Sequence, residues 1–204
     1  MTAHALTQLH ESQGQSLWLD NLSRKLLEDD GLPRLIAEYG IRGVTSNPSI
    51  FKKAIVGSDL YTDDLAECKR RYDEIESIYE HLVVSDIQRA CDLLRPVWDA
   101  SHGEDGWVSW EESPSIAHDA AQSVEAAHHL RKLVDRPNVL IKVPGTTEGI
   151  EAFERLVADG VSVNVTLLFS LDQVKRVFAA YRRGLEQLEK SGGKPAEVRA
   201  VASL

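Results

Sequence analysis

The sequence is poor in cysteine, in long apolar runs and in positive charge, and each shortage excludes a class of protein. Cys68 and Cys91 are its only cysteines and lie far apart in segments with helical spacing, so we expect two packing residues in a reduced compartment. No segment approaches the roughly 20 consecutive apolar residues that span a bilayer, so we predict no membrane partner. Residues 1–15 lack the basic and apolar regions of a secretory signal. We therefore expect a cytoplasmic protein.

The charged residues leave the chain acidic. It has 23 Lys and Arg against 32 Asp and Glu, a formal net charge of -9 at pH 7. An acidic surface repels a phosphate backbone, so we predict no nucleic-acid partner. The seven histidines fall in predicted helices and loops, and none ends a predicted strand. We therefore predict no metal site and no other cofactor.

Predicted strands alternate with predicted helices along the chain. A leading helix over residues 3–13 precedes strands over residues 16–21, 43–48, 107–111, 139–144, 162–167 and 198–204. This alternation is typical of parallel strands with right-handed crossovers, hence of a doubly wound sheet or a (β/α)8 barrel. The sequence has no Gly-x-Gly-x-x-Gly after the first strand and no Gly-x-x-x-x-Gly-Lys-Ser/Thr loop, which disfavours a nucleotide-binding sheet. We predict an α/β fold of the (β/α)8 TIM-barrel type, an incomplete barrel in which a single domain over residues 1–204 supplies about six βα units.

One predicted strand carries a lysine in the middle of an apolar run. Val139-Leu140-Ile141-Lys142-Val143-Pro144 is bounded by turn-forming residues on both sides, the pattern of a buried parallel strand. Burial disfavours a charged ammonium group, and a neutral amine can attack a carbonyl to form a Schiff base. Alternatively, the lysine extends to solvent at the strand end or pairs with a carboxylate. The polar residues of the other strands bear on this choice.

Each predicted strand also carries polar residues in its later half. In the first five strands these are Asp20, Thr45, Asn47, Glu111, Lys142, Asn164 and Thr166. Thr45 and Asn47 are two positions apart, as are Asn164 and Thr166, so the period of two directs each pair to one side of its strand. A single strand-end Asp or Asn commonly caps the following helix. Because active sites of such barrels lie at the carboxyl ends of the strands, we predict that the whole set forms a site centred on Lys142.

The predicted site suits carbonyl chemistry through an imine. Lys142 would be the nucleophile, and Asp20 and Glu111 would move the protons that imine formation and carbon–carbon cleavage require. A metal-dependent aldolase would use imidazole ligands to polarise the carbonyl. The positions of the histidines disfavour that mechanism.

Two segments resemble signatures of the transaldolase family. Gly43-Val44-Thr45-Ser46-Asn47-Pro48-Ser49-Ile50-Phe51 is similar to the first signature. Val139 to Gly145, together with Val163-Asn164-Val165-Thr166-Leu167-Leu168-Phe169-Ser170, is similar to the second. The similarity runs from about Ser16 to the end of the sequence and points to the longer actinobacterial and plant-like branch.

The resemblance implies a transferase of the pentose phosphate pathway. Such an enzyme moves a dihydroxyacetone unit from a ketose phosphate, sedoheptulose 7-phosphate or fructose 6-phosphate, to an aldose phosphate. The resemblance implies that Lys142 is the Schiff-base lysine, that Asp20 is the acid/base for the C4 hydroxyl proton, and that Glu111 acts through a water during imine formation. It also implies a set of substrate-binding residues, which are Thr45, Asn47, Asn164, Thr166 and Ser203.

The sequence departs from the family pattern at two places. Glu112-Ser113-Pro114 follows the acid of the third strand, where the family usually has Val-Asp-Pro. Ser203 begins the family's phosphate-binding Ser-x-Phe-x-x-Arg, but Leu204 is the last residue of the sequence. The resemblance therefore implies a barrel without its last two strands, poor turnover of phosphorylated sugars, and a homodimer formed through exposed barrel edges.

Two other functions stay open from the sequence. An imine-forming lyase would release its three-carbon product, and a requirement for an acceptor aldehyde distinguishes such a lyase from a transferase. A catalytically silent barrel fragment that self-associates is the alternative outside the enzymes.

Overall fold

The computed structural model describes residues 5–28 and 31–204. Within these ranges the chain forms six strands and nine α-helices. The strands are β1 (Leu17–Asp20), β2 (Ile41–Thr45), β3 (Trp107–Glu111), β4 (Val139–Pro144), β5 (Val163–Thr166) and β6 (Ala200–Ala202). The helices are α1 (Ala5–Gln13), α2 (Arg24–Glu28), α3 (Gly31–Tyr39), α4 (Pro48–Val56), α5 (Thr62–Arg71), α6 (Ile75–Ala100), α7 (Ala120–Val134), α8 (Thr147–Ala158) and α9 (Leu171–Lys190).

The six strands are hydrogen-bonded in chain order, β1-β2-β3-β4-β5-β6. The pairs β1–β2, β4–β5 and β5–β6 are parallel. A parallel neighbour can be reached only by a crossover, and helices occupy the connections. This order confirms the predicted α/β fold of the (β/α)8 type, of which the chain supplies about six βα units.

The chain divides into two compact units. The first unit comprises Met1–Val108 and Arg136–Asn138, and the second comprises Ser109–Asp135 and Val139–Leu204. The single domain predicted over residues 1–204 stays a prediction.

In the first unit, a glycine of β2 lies against a tryptophan of the neighbouring strand β1. Their register pairs Trp18 with Gly43 and Asp20 with Thr45. A Cβ atom at Gly43 would lie 2.4 Å from the indole ring of Trp18. The missing side chain at Gly43 therefore makes room for Trp18.

A charge network in the first unit fixes the segment that follows β1. Arg24 Nε donates to Asp86 Oδ1 at 3.1 Å, and Arg24 also pairs with Asp64 at 2.7 Å. The Tyr61 hydroxyl donates to the second oxygen of Asp86 at 2.8 Å and accepts from the Arg24 backbone N–H at 2.8 Å. Because each charge in this network has an opposite partner, α2 is held firmly against α6.

In the second unit, all six residues of β4 are buried. The following helix, α8, is capped by Thr146, whose hydroxyl accepts from the Gly149 N–H at 2.9 Å. Helices α8 and α9 pack on each other, with the rings of Phe153 and Tyr181 stacked at 6.1 Å. Helix α8 also contacts β4 and β5, and α9 contacts β6.

The second strand differs from its prediction. We expected a strand over residues 43–48, but β2 ends at Thr45 and α4 begins at Pro48. Asn47 caps that helix, because its side chain accepts from the Ile50 N–H at 2.9 Å. Proline is well suited to the first helical position, where its missing N–H costs nothing. Asn47 is therefore not the strand residue that the period of two predicted.

The chain ends also differ from their predictions. The predicted sixth strand, residues 198–204, is observed only as Ala200–Ala202, after a 3-10 turn at Pro195–Glu197. The leading helix is observed as Ala5–Gln13, and residues 3 and 4 of its prediction lie outside the described residues.

Candidate active site

The site is centred on Lys142, which lies in the middle of β4. The side chains on either side of it are buried valine and isoleucine, and Lys142 itself is 7% exposed. Its Nζ lies 3.1 Å from Oε2 of Glu111, the last residue of β3. Lys142 is therefore buried, as the Schiff-base hypothesis requires. It is also paired with a carboxylate, as the alternative hypothesis predicted.

Asn164 is fixed beside Lys142 by two hydroxyl groups. It is the register partner of Lys142 in the β4–β5 pair and is 2% exposed. Its Nδ2 donates to Ser109 Oγ at 3.1 Å, and its Oδ1 accepts from Ser203 Oγ at 2.8 Å. These two hydrogen bonds set the orientation of the amide.

Ser109 is a site residue that was not predicted, although the sequence contains a signal for it. Ser109 is fully buried and lies two positions before Glu111 on the same strand. The period of two therefore places Ser109 and Glu111 on one side of β3. A serine inside an otherwise aromatic and apolar strand needs a hydrogen-bond partner, and Asn164 is that partner.

Thr166 and Ser203 complete the polar group of the second unit. Thr166 is buried two positions after Asn164, and its carbonyl accepts from the Gly145 N–H at 2.7 Å. Ser203 lies just after β6, and its backbone N–H donates to the Val165 carbonyl at 2.8 Å. The structure thus brings the predicted residues Glu111, Lys142, Asn164, Thr166 and Ser203 into one polar region.

The other predicted site residues belong to the first unit. Asp20 is the exposed last residue of β1, and its register partner is Thr45 at the end of β2. Thr45 Oγ1 is buried and has no hydrogen-bond partner among the described residues. Asn47 uses its side-chain oxygen to cap α4. The structure brings Asp20 and Thr45 to adjacent strand ends, and the functional roles of all three stay predictions.

Glu112 is a second carboxyl group that follows Glu111 directly. It is 2% exposed, and its Oε1 accepts from Ser123 Oγ of α7 at 2.8 Å. Its Oε2 is buried without a partner among the described residues. Burial raises the pKa of Glu112 to about 7, although the hydrogen bond from Ser123 acts in the opposite direction and the charge of Glu111 adds to the rise. The sequence showed this residue only as a departure from the family pattern.

This arrangement can support an amine nucleophile with a proton carrier beside it. Lys142 and Glu111 are within hydrogen-bond reach, and Asn164 offers an oriented amide at the same strand ends. Across residues 5–28 and 31–204, no three His, Cys, Asp or Glu side chains gather as ligands for a metal ion. None of the helices in the same ranges combines the length and the apolar character of a membrane span.

Comparison with known proteins matches residues 17–204 to the family described as Transaldolase/Fructose-6-phosphate aldolase. The transaldolase of Thiobacillus denitrificans is 54% identical over 191 residues, which are 94% of this chain and 53% of that protein. Transaldolase 1 of Streptomyces coelicolor is 44% identical over 202 residues, 99% of this chain and 53% of that protein. The transaldolase of Neisseria gonorrhoeae is 44% identical over 190 residues, 93% of this chain and 54% of that protein. The chain thus spans about half the length of these curated relatives.

Proposed function

Because the chain belongs to the Transaldolase/Fructose-6-phosphate aldolase family, we propose that it carries the Schiff-base site of a transaldolase, with Lys142 as the nucleophile. The observation that carries this proposal is the contact at 3.1 Å between the buried Lys142 Nζ and Glu111 Oε2. A carboxylate beside an amine can both remove and return a proton. Imine formation needs such a group both when the amine is generated and when water leaves.

Imine formation uses Lys142 and Glu111. Glu111 takes a proton from the Lys142 ammonium, and the resulting amine attacks the carbonyl carbon of the ketose. A proton passes from the attacking nitrogen to the carbonyl oxygen, which gives a neutral carbinolamine. Glu111 then supplies the proton with which the hydroxyl leaves as water, directly or through a bridging water, and a C=N bond to Lys142 remains.

Carbon–carbon cleavage uses Asp20. Removal of the proton from the C4 hydroxyl breaks the C3–C4 bond, releases an aldose, and passes the electron pair to the protonated imine as an enamine. The exposure of Asp20 at the end of β1 supports a role in contact with substrate. Because the enamine stays bonded to Lys142, the three-carbon unit attacks the next aldehyde and is transferred.

The polar side chains around Lys142 would hold the three-carbon unit. Asn164 is oriented by Ser109 and Ser203, so its amide is fixed before a sugar hydroxyl arrives. The remaining substrate-binding residues of the proposal are Thr45, Asn47, Thr166 and Ser203. The cap at α4 uses the Asn47 oxygen, so its amide nitrogen is the atom that would contact a hydroxyl.

The proposed substrates are sedoheptulose 7-phosphate or fructose 6-phosphate as the ketose and an aldose phosphate as the acceptor. This reaction belongs to the cytoplasmic pentose phosphate pathway. The relatives named transaldolase support transfer of the three-carbon unit. The rival reaction is an aldolase that releases this unit, and the family description includes such an enzyme.

Borohydride trapping tests the proposed site. The chain is incubated with fructose 6-phosphate, reduced with borohydride, and analysed as intact protein and as peptides by mass spectrometry. We expect a reduced adduct on the peptide that contains Lys142. Lys142→Ala should remove the adduct, and Glu111→Gln should slow its formation by on the order of a hundredfold.

Lys190→Ala is the matched control, because Lys190 is an exposed lysine at the end of α9. Its adduct should equal that of the unchanged chain. In a separate reaction, borohydride is omitted and an acceptor aldehyde is added. A new ketose phosphate should then form if the chain is a transferase. No adduct on Lys142, with a full-length relative labelled in parallel, would contradict the proposal.

Self-association without catalysis is the second candidate, and an apolar surface on α9 favours it. We name this surface the α9 stripe and define it as Leu171, Val174, Phe178 and Leu185, whose spacing places them along one face of the helix. Leu171 is 79% exposed and Phe178 is 64% exposed. Such exposed apolar rows mark interaction sites. We infer that the α9 stripe and the outer edge of β6 pair with a second copy of the chain.

Size-exclusion chromatography with light scattering tests this pairing. We expect a dimer, and Phe178→Glu should shift it to the monomer because a charge would be buried in the interface. Lys190→Glu is the control, since it changes charge on the same helix outside the stripe. A stable monomer of the unchanged chain would exclude the homodimer.

A further inference from the structure

The proposed chemistry makes no use of Glu112, although this acid is among the most buried polar residues described. Glu112 directly follows β3, and Ser123 of α7 reaches its side chain at 2.8 Å, whereas the side chain of Glu111 contacts Lys142. Its Oε2 is buried and has no hydrogen-bond partner within the described residues. A carboxylate in this position leaves half of its acceptors unmet, whereas an uncharged carboxyl is far easier to bury.

The backbone of Glu112 connects it to the reacting lysine. Its N–H donates to the Lys142 carbonyl at 3.2 Å, while its side chain is held by Ser123. Glu111 directly precedes Glu112 and places its own carboxylate 3.1 Å from Lys142 Nζ. Any shift of Glu112 therefore moves Glu111 relative to Lys142.

We propose that Glu112 is a positioning residue for imine formation: its uncharged carboxyl, buried against α7, and its N–H, bonded to the Lys142 carbonyl, anchor the end of β3 so that Glu111 stays at Lys142. Loss of the proton places a charge there whose second oxygen has no partner among the described residues, and this displaces the anchor. The inference rests on the proposed function of Lys142 and Glu111. It adds a residue that the family resemblance does not supply, because the family usually has valine at this position.

The surroundings of Glu112 favour the uncharged form. The charge of the preceding residue, Glu111, acts against ionisation of Glu112, and on β4 Lys142 is engaged with Glu111. At the start of α7, His118 contacts Glu148 at the surface, and Asp119 accepts from the Gln122 N–H. Burial is the largest influence and raises the pKa of Glu112 to about 7, so the anchor would be lost within the physiological pH range.

The test is the pH dependence of trapping on Lys142, measured as a ratio between variants. The rate of adduct formation with fructose 6-phosphate and borohydride is measured between about pH 5.5 and 8.5 for the unchanged chain and for Glu112→Gln. The ratio cancels the pH dependence of borohydride and of the other groups. We expect the unchanged chain to lose on the order of tenfold relative to Glu112→Gln as the pH rises through about 7, because misplacement of a catalytic group costs rate steeply.

Ser123→Ala is the second variant, and it stays informative if Glu112→Gln folds poorly. The hydrogen bond from Ser123 stabilises the carboxylate form of Glu112. Its removal should therefore move the loss of trapping to higher pH. A purely structural role would change the rate by one factor at every pH, so a constant ratio and an unmoved midpoint would overturn the inference.

Carbon-13 NMR of glutamate-labelled chain separates this inference from the proposed function. The Glu111 and Glu112 carboxyl resonances are assigned with Glu111→Gln and Glu112→Gln. If no variant forms an adduct while a full-length relative does, the proposed function fails. Glu112 still anchors Glu111 if the Glu111 resonance shifts as Glu112 titrates, and the inference is overturned if the Glu111 resonance does not respond.

Discussion

Replacement of Glu112 by glutamine should change how the stability of the chain depends on pH. In the unfolded chain Glu112 loses its proton near its ordinary pKa of 4.5, but in the folded chain it keeps the proton up to about pH 7. The folded state therefore binds more protons than the unfolded state between these values. The free energy of unfolding must fall as the pH rises through this window and become level above it.

The size of this fall follows from the two pKa values. The interval from 4.5 to about 7 corresponds to about 3 kcal/mol, at about 1.4 kcal/mol for each tenfold change in proton affinity. Glutamine cannot ionise, and its carbonyl can still accept from Ser123. Its amide group adds an unmet donor, but this cost is the same at every pH. We therefore expect the difference in stability between Glu112→Gln and the unchanged chain to grow by about 3 kcal/mol from about pH 4 to about pH 8.

Urea unfolding followed by circular dichroism measures this difference. Each chain is unfolded with urea at each pH, and the two free energies of unfolding are subtracted. The subtraction cancels the contributions of the ionisable groups that both chains share. Glu125→Gln is the matched control, because Glu125 is an exposed residue of α7 and its stability difference should stay level with pH. A Glu112→Gln difference that changes by less than about 1 kcal/mol across the range would refute the proposed burial penalty.

Three further substitutions test the structure of the first unit by urea unfolding. Asp86→Ala should lower the free energy of unfolding by about 3–5 kcal/mol, because it removes the main buried partner of the Arg24 guanidinium. A decrease below about 1 kcal/mol would show that this charge network does not stabilise the first unit. Gly43→Ala should lower the free energy of unfolding by about 1–3 kcal/mol, because the added Cβ would overlap the ring of Trp18. An unchanged unfolding midpoint would show that β1 and β2 can move apart enough to accommodate the methyl group. Asn138→Ala should cost about 2–3 kcal/mol, because its Nδ2 donates to two buried backbone carbonyls at 2.9 and 2.8 Å; a smaller loss would mean that water replaces the amide.

Strands with strong local patterns could be predicted from the sequence. The bounds of β3 and β4 agree with their predictions because an apolar run ends in each case at turn-forming residues. The position of Lys142 within such a run, taken together with the polar residues of the other strands, predicted a site centred on Lys142. The end of β2 could not be predicted in the same way, since Asn47 can extend a strand or cap a helix and Pro48 decides between the two.

The sequence by itself therefore determined the order of strands and helices, the family, and the residue types at each strand end. Those features depend on local periodicity and on short signatures that a single chain carries in its order of residues. Only the tertiary structure decided that Glu111 is the partner of Lys142, that Ser109 and Ser203 hold Asn164, and that Glu112 is buried against Ser123. These contacts join positions that are distant in the chain, so they depend on strand register and on the exclusion of water, which no local pattern contains.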